Sequence, residues 1–302
     1  MGIMWALLSA LGFALFQTAN RRAGLGIDVL FGTFLLILIS ALVLTGVALA
    51  VEGLTPLRQF SLFPLAIFSL AGLFHYAFGW TLLGLSQREL GAARAGALVG
   101  ISPLFAVAIA WITLGEHLPS LALLGVAAIV AGVYLVSTDS RLKEFLIMGL
   151  RISTQVSTSH LSRGIWWGLG AAVCWAIDPV FVRWGLRAFP FPLWGAALSL
   201  LACVGIYGGL LRIRRPARSS SPHALGWQIL AALLVALATW LKWLALQQVS
   251  VGIVLALGRL SVPLVVLLSP LIVGRSIERL TLRLGIGAGL ITLGTFLLIG
   301  SG

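Results

Sequence analysis

Ten apolar stretches, each close to the length that crosses a bilayer as a helix, divide this 302-residue chain. They fall near residues 3–20, 28–51, 62–84, 92–114 and 120–137, and again near 164–187, 192–211, 224–247, 251–273 and 281–300. A soluble domain has no core large enough to bury them all. Composition agrees: 60% of the residues are hydrophobic and 9% are charged, far from a globular norm. The predicted fold class is an all-α integral membrane protein with ten transmembrane helices. Connections such as Ser86-Gln87-Arg88-Glu89 and Gly115-Glu116-His117 are short enough to force antiparallel hairpins. Residues 1–20 have no basic leader and no small-residue cleavage site, so they read as a first membrane helix.

The formal charge of +12 raises the question of nucleic acid. The basic residues lie in short runs between apolar spans, a pattern that belongs to cytoplasmic loops, so no nucleic-acid partner is expected. Connections after the first, third, fifth, seventh and ninth spans hold most of them, including Arg21, Arg22, Arg88, Arg212 and Arg214. By the positive-inside rule that side is cytoplasmic and both termini are outside. Cys174 and Cys203 lie inside apolar spans and suggest neither a disulfide nor a metal site. There is no GxxxxGK[ST] motif, no metal-ligand spacing and no paired catalytic His/Asp motif; neither an ATPase nor a membrane-embedded enzyme is indicated, and no cofactor is expected.

The ten spans fall into two copies of one unit. Gly2-Ile3-Met4-Trp5 matches Gly164-Ile165-Trp166-Trp167, and at the same offset Gly125, Ile129 and Gly132 meet Gly287, Ile291 and Gly294. The expected division is a first repeat over 1–139, a linker over 140–163 that begins as a candidate interfacial helix, and a second repeat over 164–302. Five spans per copy is odd, so the second copy enters the membrane in the opposite sense. Inverted repeats are an architecture of secondary transporters, with substrate held near the midplane. Small-residue surfaces such as Gly285-Ile286-Gly287-Ala288-Gly289 are read as packing within one chain, hence a monomer rather than a dimer.

Several motifs resemble the EamA branch of the drug/metabolite transporter superfamily. They are Ser102-Pro103-Leu104, an apolar run, Leu114-Gly115-Glu116-His117-Leu118, and the glycine-punctuated stretch from Leu124-Gly125 to Gly132-Val133. The second copy keeps Val262-Pro263-Leu264 but carries Gly274-Arg275 in place of the Gly-Glu pair. The resemblance implies a multi-pass carrier of small metabolites in the inner (plasma) membrane, working as an exporter. It also implies termini inside, against the charge count.

The candidate substrate-binding residues are those whose polarity is costly at their depth. Asp178 lies fourteen residues after Gly164, about 21 Å of helix rise, beside Pro179. An ionised Asp there costs about 2.5–3.5 kcal/mol on insertion scales, so it faces a cavity or a partner. It is the proton-coupling candidate, against a reading as a structural cap. Arg259 is about 12 Å deep and is expected either to bind substrate or to pair with Asp178. Trp175 precedes Asp178 by one turn; Gln17, His75 and Tyr76 lie at membrane depth in the first repeat. Lys242, near the end of its span, is read first as snorkelling to the interface and second as a helper of Arg259. Pro103, Pro179 and Pro263 are candidate helix breaks. Excess buried positive charge favours an anionic or zwitterionic metabolite moved by alternating access. A lipid-linked carrier or flippase, and proton-driven efflux of cationic drugs, are the alternatives. Partners are a small-molecule substrate and membrane lipids.

Overall fold

The computed structural model describes residues 1–59, 61–90, 92–100, 102, 105, 109, 112, 120–137, 158–213, 221–274 and 281–299. Every regular element among them is helical. In chain order they are α1 (Gly2–Ala23), α2 (Val29–Val51), a 3-10 helix (Thr55–Gln59), α3 (Leu62–Gly72), a π-helical stretch (Leu73–Gly79), α4 (Trp80–Leu90), α5 (Ala92–Val99) and α6 (Ser120–Ser137). There follow α7 (Thr158–Ala188), α8 (Pro192–Ile213), α9 (Pro222–Gln248), α10 (Val251–Gly258), α11 (Ser261–Ile272) and α12 (Leu282–Ile299).

Six helical segments among the described residues are long and apolar enough to cross a membrane: Gly2–Ala23, Val29–Val51, Leu62–Leu90, Ser162–Ala188, Pro192–Ile213 and Pro222–Gln248. The described residues do not by themselves reach the expected ten. The expected fourth span is described only in part, and the ninth is two short helices, α10 and α11. The expected interfacial helix at 141–148 and the Gly115-Glu116-His117 connection lie outside the described residues.

The helices are built inside out relative to a soluble bundle. On α9, Ile229, Leu230, Leu233 and Leu237 are exposed, while Ala231, Ala232, Val235, Ala238 and Thr239 are buried. Lipid tails are as apolar as Leu, so large residues can face them, and small residues let helix backbones approach. On α1 the same division sets exposed Leu7, Leu8 and Leu11 against buried Ala6, Ser9 and Ala10. The two small faces meet: Ser9 Oγ donates to the Ala238 carbonyl at 2.8 Å.

The pairing of helices is reciprocal. α1 packs on α9, while α7 packs on α3, the π-helical stretch and α4; α2 packs on α8, and α6 on α12. At the last pair, a Cβ added to Gly132 would sit 2.5 Å from the Gly287 carbonyl oxygen and 2.9 Å from Ile291 N. One added to Gly294 would collide with the Gly125 carbonyl and lie 2.9 Å from Ile129 N. The residues that match at a constant sequence offset are therefore the ones that interlock, each set against the other, and only glycine fits at either crossing.

Chain reversals are fixed by polar groups at the helix ends. Asp28 Oδ1 accepts from Leu30 N and Phe31 N and caps α2. At the other end of α2, Glu52 reaches across to α8, accepting from Leu193 N at 3.1 Å and Trp194 N at 3.0 Å. Trp194 Nε1 returns a bond to the Gly53 carbonyl at 2.8 Å. Burial pushes the half-buried Glu52 carboxyl above the usual range, outweighing the two backbone donors that favour the carboxylate. Arg183 Nη1 donates to the Leu246 and Val249 carbonyls at the end of α9, and Arg22 Nη1 to the Val273 carbonyl beyond α11.

Candidate functional site

Asp178 stands on α7, which runs on as helix through Pro179. Pro179 has no N–H to offer the Trp175 carbonyl, so the ladder lacks one bond beside the acid. Opposite α7, the π-helical stretch carries His75; such a wider turn shifts side chains relative to an α-helix and often marks a site. Trp175 ties the two elements together. Its ring stacks on His75 with centroids 5.5 Å apart and planes at 20°, and its Nε1 donates to the His75 carbonyl at 3.2 Å. Gly79 permits this approach, since a Cβ there would collide with the Trp175 indole.

Asp178 Oδ2 receives Lys242 Nζ at 2.6 Å and His75 Nδ1 at 2.8 Å. Lys242 Nζ lies 3.4 Å from the same imidazole nitrogen. All three residues are more than nine-tenths buried, with Asp178 at 2% exposure. A charge alone at this depth is prohibitive, whereas ammonium and carboxylate together with a neutral imidazole sum to zero. In the tautomer that serves Asp178, His75 donates through Nδ1 and is left with an Nε2 lone pair. That nitrogen is buried and has no hydrogen-bond partner among the described residues.

This geometry changes two expectations. Lys242 does not snorkel to the interface; it lies on the buried stripe of α9 with Ala238 and Thr239, so its stem runs inward. The partner of Asp178 is accordingly Lys242 and not Arg259. Arg259 sits at the break between α10 and α11, one turn before Pro263. It donates from Nη1 to the Val99 carbonyl at 2.9 Å and from Nε to the Leu255 carbonyl at 3.4 Å. Pro263 cannot donate to the Arg259 carbonyl, and the shorter bond from Val262 N at 2.9 Å takes its place. Among the described residues Arg259 has carbonyl partners and no carboxylate.

A cavity of about 630 Å³ of empty space, its mouth included, lies against these groups. Gln17 and Phe13 of α1, His75, Trp175, Lys242 and Arg259 line it. Asp178 does not; it stands behind His75 and Lys242. Tyr76 is also withdrawn, packed edge-on to His75 at 4.7 Å and to Trp80 at 4.9 Å. Pro103 lies outside the described residues. Ser9 and Ser261 line the cavity as well and were not singled out in sequence. Each is a serine within an otherwise apolar run, one beside the small face of α1 and the other two residues before Pro263, and those positions are the signal that could have found them. Among the described residues the wall thus presents two cations, one imidazole and neutral hydrogen-bonding groups, and no acid.

The model of the EamA-like transporter family matches residues 1–138 and again residues 162–300. A solved crystal structure of a protein superposes with a TM-score of 0.70 over 96% of this chain and 95% of its own, at 19% sequence identity, a likeness of fold alone. No curated protein matches the sequence.

Proposed function

Because the chain belongs to the EamA-like transporter family, we propose that it is a secondary carrier of a small anionic or zwitterionic metabolite, working by alternating access between two inverted five-helix repeats. At the family level these proteins are transporters and not enzymes, and the chain is a multi-pass membrane protein. The observation that carries the substrate class is Arg259. A buried guanidinium that has only carbonyl partners among the described residues, lining a cavity whose described wall holds no acid, has donors left for a carboxylate or phosphate. The reciprocal packing of α1 on α9 and of α7 on α3 and α4 supports rocking of one repeat against the other.

The ion pair behind the cavity supplies a coupling device. A substrate carboxylate that reaches Lys242 competes with Asp178 for the ammonium. Once displaced, Asp178 is a buried carboxylate that keeps only the neutral His75 as a partner, and it neutralises by taking a proton. Anion and proton then occupy the site together, and the occluded cavity gains no net charge. A cationic drug would meet Arg259 and Lys242, with Asp178, the nearby acid among the described residues, already paired, which disfavours that reading. We place the carrier in the plasma membrane as a monomer, exporting its substrate.

The test is a thermal-stability screen of purified protein against amino acids, organic acids, phosphosugars and cationic drugs. A ligand that binds only the folded form raises its apparent stability. An anionic or zwitterionic compound is expected to stabilise the wild type. Stabilisation by cations alone would overturn the substrate class.

A further inference from the structure

At one end of the bundle Asn20 of α1 joins Gln87 of α4 and Gln228 of α9, beside Arg21 and Arg88. At the opposite end a cleft of about 760 Å³ of empty space, its open side included, lies across the seam between α7 and α9. α7 and the turn after it contribute Arg183, Leu186, Arg187 and Pro190, and α9 contributes Leu246 and Gln247. Side chains stitch the seam here: Arg183 Nη1 donates to the Leu246 and Val249 carbonyls, and Gln247 Nε2 to the Pro190 carbonyl at 3.0 Å. Arg183 and Arg187 stand one turn apart on the same face of α7, where like charges repel. Arg187 is exposed and Arg183 partly so, and neither has a carboxylate partner among the described residues. Glu52, an acid on this face, is held by the Leu193 and Trp194 amides and does not line the cleft.

A cation suits a helix C-terminus, which accounts for Nη1 of Arg183 and for the charge of Arg187 in the last turn of α7. It does not account for two guanidinium groups lining one cleft whose described wall holds no acid. We propose that this cleft is a second anion site, for a carboxylate or phosphate group held between Arg183 and Arg187. Only Nη1 of Arg183 is committed to carbonyls among the described residues, so its planar fork keeps donors for an anion, and Arg187 adds the second cation. Arg183 lies eight residues beyond Trp175 on α7, about 12 Å of rise, and Leu246 four residues beyond Lys242 on α9, about 6 Å. Trp175 and Lys242 line the first cavity, so cavity and cleft share one seam, and the Asp178–Lys242 contact crosses it between them. The cleft is thereby the mouth at which an anion enters or leaves on the face opposite Arg21 and Arg88, a placement that rests on the carrier reading above. The anion site itself does not.

The experiment follows phenylglyoxal modification of Arg187 by peptide mass spectrometry in protein held in nanodiscs, with methylphosphonate as the soluble probe. Arg58, exposed on the same face and outside the cleft, is the internal control. In discs of phosphatidylcholine alone, methylphosphonate is expected to slow modification of Arg187 several-fold and saturably, with Arg58 unchanged. Arg183→Gln removes one charge-assisted partner, so the concentration giving half protection should rise about tenfold. Arg183→Lys keeps the charge without the fork and should fall between, so a folded variant remains even if the glutamine form is lost. Equal slowing at Arg58, protection that does not saturate, or undiminished protection in the folded Arg183 variants would overturn the site. Discs containing phosphatidylglycerol separate the two sources of such an anion. Protection by that lipid, with none by methylphosphonate in the phosphatidylcholine discs, would make a lipid headgroup the occupant and overturn the mouth. A cleft that binds methylphosphonate in a protein that carries no anion would fail only the carrier reading.

Discussion

Lys242 and Asp178 meet at 2.6 Å, joining α9 to α7 through a buried pair of opposite charges. Such a pair is weak evidence for stability, but breaking it is expensive because the survivor is left charged and alone. Lys242→Met alone or Asp178→Leu alone should each lower unfolding stability by about 3–5 kcal/mol, while the double variant recovers most of the loss. A double-mutant cycle in detergent reads this directly. Additive losses would show that the pair is not coupled.

Asp178→Asn separates coupling from architecture. The amide keeps the size and an acceptor for His75, so ligand binding should survive. It cannot take up a proton at that oxygen, so flux against an imposed pH gradient in liposomes should lose its pH dependence. Equal and equally pH-dependent flux in wild type and variant would reduce Asp178 to a structural partner of Lys242.

Glu52 predicts a pH dependence of opposite sign to the common carboxylate case. Its folded-state affinity for a proton is raised by burial, so the folded chain binds protons more readily than the unfolded one. The stabilising contribution is fully present below the unfolded value and is lost as pH rises through the folded one. Wild type should therefore be most favoured over Glu52→Gln at acidic pH, with the difference in melting temperature shrinking toward neutrality. A difference that widens with rising pH would contradict this.

Arg21, Arg22 and Arg88 lie on one face with the Asn20–Gln87–Gln228 cluster, and Glu52 and Arg187 lie on the other. By the arginine count the first face is predicted to be the cytoplasmic one. A reporter active only in the cytoplasm should work when inserted after Arg88 and stay silent after Gly53. The reverse pattern would show termini inside.

What was legible in the sequence follows from which physical signal each feature leaves. Helix existence was plain because apolar spans need nothing but length. Gly125, Gly132, Gly287 and Gly294 were visible as a repeated pattern, since close crossings demand small residues. That they interlock with one another was not visible, because sequence offset carries no direction in space. Lys242 was misread because distance from a helix end favours snorkelling only for a side chain that faces lipid. Its register with Ala231, Val235 and Ala238, opposite Leu230, Leu233 and Leu237, marks the inner face. Asp178 and Arg259 stood out by depth, but which cation the acid would choose depended on how α7 and α9 approach. The π-helical stretch that brings His75 to Asp178 left no composition signal in Leu73–Gly79.

The claim that this cavity takes an anionic group on Arg259 is tested most directly by equilibrium binding of the best stabilising anion to wild type, Arg259→Lys and Arg259→Ala. A charge-assisted bond is worth about 1.5–3 kcal/mol, so Arg259→Ala should weaken binding by about 10- to 100-fold in protein that remains folded. Arg259→Lys should fall between, keeping the charge but losing the two-pronged geometry. Unchanged affinity in folded Arg259→Ala protein would remove the guanidinium from the site, and with it the argument for an anionic substrate.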